Sequence, residues 1–91
     1  MMFSTNLLIV SLEVIMPKTI LWEGTAPSLS EAQEMVEGYV ELVRLDGGDI
    51  MLVNEDGRME KDPNQTASQL AGQMVFGDVV VIRNQDRGDN W

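Results

Sequence analysis

Residues 38–57 read Gly38-Tyr39-Val40-Glu41-Leu42-Val43-Arg44-Leu45, then Asp46-Gly47-Gly48-Asp49, then Ile50-Met51-Leu52-Val53-Asn54, then Glu55-Asp56-Gly57. Two β-rich runs flank a short connection that contains glycine. This pattern predicts a β-hairpin in which 39–45 pairs with 50–54. Glycine reaches positive φ without steric cost, which suits the connection. The closing Asn54-Glu55-Asp56-Gly57 predicts a tight turn with Gly57 at a positive-φ position, and 58–60 continue it as a short strand.

The first hairpin strand does not alternate cleanly. Tyr39, Glu41, Val43 and Leu45 fall on one side, and Val40, Leu42 and Arg44 on the other. Both sides are partly apolar, as expected of a strand covered by a helix on one face and by a second surface on the other. A subunit contact or the N-terminal stretch could supply that second surface. Tyr39, Glu41, Val43 and Arg44 are therefore the candidate interaction residues.

Upstream of the hairpin, 18–23 predict a strand and 24–27 a turn. Ser28-Leu29-Ser30-Glu31 has the form of a capping box, with Ser28 and Glu31 each satisfying the other's backbone N–H. Leu29, Ala32, Met35 and Val36 place an apolar face on a helix over 29–37, and Gly38 stands where a helix-ending glycine belongs. The outward Glu31, Glu34 and Glu37 read as a solvated face.

Downstream, Lys61-Asp62-Pro63 breaks the chain and Asn64 caps a short helix carrying Ala67, Leu70 and Ala71. Gly72 ends it. Residues 73–76 are extended, Gly77-Asp78 turns, and Val79-Val80-Val81-Ile82 predicts a fully buried strand. Residues 84–91 read as a loose polar tail. The order β-α-β-β-α-β predicts one small α+β domain over 16–83, with a mainly antiparallel sheet and one or two short helices. It is compatible with a ferredoxin-like arrangement. Residues 1–15 read as an N-terminal extension, either a strand added to a sheet edge, since 8–15 alternate with period two, or the product of a misassigned start.

Composition narrows the chemistry. The 91 residues contain neither cysteine nor histidine. Disulfides, thiolate chemistry and the usual neutral-pH base are thereby excluded. Fifteen acidic residues against six basic ones give a net charge of −9, which makes direct nucleic-acid binding unfavourable. No apolar stretch reaches the roughly 18 residues of a membrane span, and the apolar start lacks a basic flank and a cleavage site. A cytoplasmic protein is expected.

No constellation specifies a reaction. Placing Gly57 at the sixth position of a calcium loop puts Leu52 at the first and Pro63 at the twelfth, so that pattern fails. Glu41 and Asp78 are the carboxylates best placed for acid–base work, but they read as a strand-surface residue and a turn former. Phosphate-loop, dinucleotide and nucleophile-elbow motifs are missing. The expectation is a non-enzymatic protein with no cofactor and no metal.

Several stretches together carry a resemblance. Val36-Glu37-Gly38-Tyr39-Val40-Glu41, Leu52-Val53-Asn54-Glu55-Asp56-Gly57-Arg58, Asn64 with Ala67 and Leu70, and Gly77-Asp78-Val79-Val80-Val81 resemble, in this order, segments of a family of small uncharacterised proteins. Bacteriophages and other mobile elements encode that family, and it is classed as a domain of unknown function. The match spans about Met16 to Ile82 and leaves 1–15 outside. The family has an apolar residue before the proline where this chain has Asp62. The resemblance implies a bacterial cytoplasmic setting and no particular activity. The reading is then an acidic accessory protein that self-associates and binds a host protein. An acidic DNA mimic blocking a nucleic-acid-binding protein is the alternative, and a small carboxylate-based enzyme the third reading.

Overall fold

In the computed structural model, which describes residues 16–89 and 91, the two most apolar runs become the two inner strands of one sheet. The strands are β1 (Thr19–Trp22), β2 (Val40–Arg44), β3 (Ile50–Asn54) and β4 (Val79–Ile82). Their spatial order is β1-β4-β3-β2. Every residue of β3 and β4 is buried, because each strand has neighbours on both sides and cover on both faces. The helices are α1 (Leu29–Val36), the short α2 (Gly57–Glu60) and α3 (Gln65–Ala71).

The domain is α+β with a mixed sheet. β2 with β3 and β3 with β4 are antiparallel, whereas β1 runs parallel to β4. In a split β-α-β unit one strand separates the two joined by the helix. Here two strands, β4 and β3, lie between β1 and β2. The expected hairpin forms, with Val40 opposite Asn54 and Arg44 opposite Ile50. Its connection is a 3-10 turn over Asp46–Gly48 in which Gly47 and Gly48 both take positive φ.

Two apolar layers sandwich the sheet. On one face α1 sets Ala32 against Ile50, Leu52, Val80 and Ile82, with Val40, Leu42 and Met35 at the margin. On the other, α3 sets Ala67, together with Val75, against Met51, Val53, Val79 and Val81. The capping box of α1 forms in both directions: Glu31 N donates to Ser28 Oγ (3.1 Å) and Ser28 N to Glu31 Oε1 (2.9 Å). Leu29, expected on the apolar face, is exposed.

Three local expectations are corrected. The left-handed residue ending α1 is Glu37 (φ 61°), one position before Gly38. Gly57 has no positive φ. It opens α2, and its lack of a side chain serves close packing, since a Cβ there would meet Phe76 O at 3.0 Å. Residues 58–60 are therefore helical and do not extend the hairpin.

Described residues of the C-terminal stretch make specific contacts. Asn84 N donates to Asp49 Oδ1 (2.8 Å), Arg83 pairs with Asp86, and Trp91 Nε1 donates to Pro27 O (2.8 Å). Trp91 also packs against the α1-side layer. The residues that could add an N-terminal strand lie outside those described.

Candidate functional site

β2 is an edge strand, and its two faces lead to different surroundings. Glu41 and Val43 point to the α3 side, opposite Val53 and Met51. There the strand does not lie under α3. It borders a groove of about 480 Å³ running between β2–β3 and the extended segment 73–76.

The far wall is fixed by a short clamp. Pro63 bridges to Phe76, Asn64 N donates to Val75 O (2.8 Å), and Gly77 N donates to Asp62 O (2.8 Å). Asn64 locks it further. Its Oδ1 accepts from Ala67 N (3.0 Å) and Thr19 Oγ1 (3.1 Å), while its Nδ2 donates to Gly77 O (2.9 Å) and Lys18 O (3.1 Å). One buried amide thus joins the start of α3 to the approaches of β1 and β4. α2 closes the end of the groove, its first residue packed tightly on Phe76.

Val43, Val53 and Val75 line the groove with apolar side chains. Met59, 87% exposed, and Met74, 58% exposed, stand at its margin and lack burial of their own. Flexible thioether side chains of this kind adapt to irregular apolar partners. Glu41, Glu55 and Asp56 supply three carboxylates to the lining against one guanidinium, from Arg58.

The family described as a domain of unknown function, DUF3846, matches residues 6–91. The chain belongs to the DUF3846 family. The match takes in residues 6–15 and 83–91, which the sequence resemblance had left aside. No curated protein and no solved structure matches it.

In this DUF3846 domain the four candidate interaction residues do not form one patch. Glu41 and Val43 enter the groove. Tyr39, 69% exposed, lies across the sheet in a shallow depression with Ser30, Gln33, Glu34 and Gly38. Arg44, opposite Ile50, ends β2 on the α1 side. The sequence reading missed Met59, Met74 and Val75. Nothing in the residue types marks them, because the exposure of Met59 and Met74 and the burial of Val75 emerge only from the fold.

The carboxylates whose titration departs from the ordinary value of 4.5 move downward. The backbone N–H of Ser28, then its hydroxyl, holds Glu31 low, and the hydrogen bond from Lys61, then its charge, holds Glu37 low. Lys61 is raised by its hydrogen bond to Glu37. A general acid at neutral pH needs the opposite shift. Asp78 Oδ1 accepts from Lys18 N (2.8 Å), and Glu41 is a solvent-facing edge residue. Among the described residues no group of three or more acidic side chains is placed to hold a metal ion. No described helix is long and apolar enough to cross a membrane.

Proposed function

We propose that this DUF3846 domain is a non-enzymatic binding module whose groove takes a basic peptide segment of another protein, anchored by one apolar side chain. The observation that carries the reading is the composition of the groove: a valine-lined interior, two exposed methionines, and three carboxylates against one arginine. The apolar interior favours a buried anchor and the acidic margin favours Lys or Arg beside it. The net charge of −9 extends that preference over the whole surface and speeds the encounter with a cationic partner. The resemblance to phage-encoded proteins suggests a host protein of the bacterial cytoplasm as the partner. The acidic side chains lie on α1, on β2 and at turns on both sides of the sheet. This scatter lends no support to a DNA mimic, which requires a row.

The test is calorimetric titration with synthetic peptides carrying one Leu or Phe among Lys and Arg, beside charge-reversed controls. Binding of the basic series that weakens at least tenfold in Glu41→Lys/Glu55→Lys supports the reading. Equal binding of both series, or binding unchanged in the variant, overturns it.

A further inference from the structure

The outer edge of β2 carries an unspent row of backbone hydrogen-bonding groups, and the register shows which residues own it. Leu45 N donates to Asp49 O and Glu55 N to Tyr39 O, both at 2.8 Å. In an antiparallel ladder, bonded pairs alternate with non-bonded ones. The odd-numbered residues of β2 therefore face β3, and Val40, Leu42 and Arg44 turn their N–H and C=O groups outward. Among the described residues nothing pairs with them.

Edge strands are commonly blunted by proline, bulges, shortness or clustered charge. β2 has five residues in unbroken register, no proline, one acid and one base. The opposite edge, β1, is four residues long and follows Pro17 and Lys18. Among the described residues β2 is thus the open edge, and it is locally neutral on a strongly acidic chain.

We propose that two copies of this chain pair β2 to β2 about a two-fold axis at Leu42, forming one continuous eight-stranded sheet. The outward-facing groups fix the register. Leu42 bonds its own symmetry mate, and Val40 bonds Arg44 of the second copy. Glu41 then stands opposite Val43 of the second copy. A two-fold axis perpendicular to the sheet keeps each face on its own side. The grooves of the two copies therefore meet across the seam, and each Val43 borders both. This assembly stands whatever the groove binds.

The test is register-specific, because the chain has no cysteine of its own. Directly opposed residues of a non-bonded pair lie about 4.5 Å apart at Cα, within disulfide reach. Full-length Glu41→Cys and Val43→Cys chains, mixed and oxidised, form the 41–43 cross-linked heterodimer in preference to either homodimer. Unmodified protein sediments as a dimer. Arg44→Pro removes an outward N–H that β3 does not use. It raises the dimer dissociation constant at least tenfold while leaving the circular dichroism spectrum unchanged.

A wild-type chain that stays at the 10.1 kDa monomer mass at every concentration overturns the proposal, whether the edge is open or covered by residues 1–15. So does a dimer that lacks the 41–43 preference. If Arg44→Pro fails to fold, the cysteine mixture still decides.

Discussion

Gly38 lies against Asn54 so closely that a Cβ built on the glycine would fall 2.7 Å from Asn54 Nδ2. That amide donates to Val36 O (3.0 Å) and Glu37 O (3.1 Å), and its Oδ1 accepts from Asp56 N (2.7 Å). One buried side chain therefore satisfies the end of α1 and starts the turn after β3. Gly38 is required for this approach, and Glu37 accepts the left-handed conformation so that Gly38 can make it. Gly38→Ala should cost about 1–3 kcal/mol by displacing Asn54. In denaturation cycles its effect should be strongly non-additive with Asn54→Ala. Gly72, left-handed with open space around it, should lose about 1 kcal/mol on change to Ala, additively with Asn54→Ala.

Glu37→Gly should stabilise the domain by up to about 1 kcal/mol, since a left-handed glutamate is strained and glycine is not. The Lys61 pair lost in the exchange is exposed at its Glu37 end and offsets little. A raised denaturant midpoint with an unchanged slope checks this.

Asn64→Ala should cost about 3 kcal/mol, because it removes the cap of α3 and leaves Gly77 O and Lys18 O without their donor. Asn64→Asp keeps the acceptor for Ala67 N but not the donations, and should fall between the wild type and Ala. The groove wall depends on the same residue, so peptide affinity should fall with stability in this series.

The pH dependence follows from three shifted groups. Glu31 and Glu37 titrate lower in the folded state than unfolded. Their contribution is present above their ordinary value of 4.5 and is lost as pH falls through the folded values. Lys61 titrates higher when folded, so its contribution is present below 10.5 and is lost as pH rises through the folded value. Thermal midpoints should therefore form a plateau between these limits and fall on both sides. Lys61→Met should remove the alkaline fall attributable to this pair.

Salt should separate the two associations. Two chains of −9 repel each other, so screening should strengthen β2–β2 pairing. The same screening should weaken the capture of a basic peptide. Opposite slopes against ionic strength, by sedimentation and calorimetry on one preparation, are the expected result.

What could be read from sequence was mostly local. The Ser28–Glu31 box, the Asn64 cap and the Val79–Ile82 run each declare themselves through neighbouring residues. Strand order did not, because nothing in the residues of β4 says that it inserts between β1 and β3. The glycines misled for a related reason. A glycine needed for close approach, as at Gly38 or Gly57, looks the same in sequence as one needed for positive φ. The groove was half legible: Glu41 and Val43 stood out on a two-faced strand, but the far wall depends on the long-range clamp between 62–64 and 75–77.

The parallel pairing of β1 with β4 has a consequence for how the molecule comes into being. Thr19 aligns with Val79, sixty positions further along the chain. On a ribosome the hairpin and α1 emerge well before the strand that must sit at the centre of the sheet. Until Val79–Ile82 appears, β1 has no strand partner and β3 lacks one of its two neighbours. The sheet therefore closes only once β4 is made, and part of the apolar surface of β1 and β3 stays bare until then. Such long-range closure is slow.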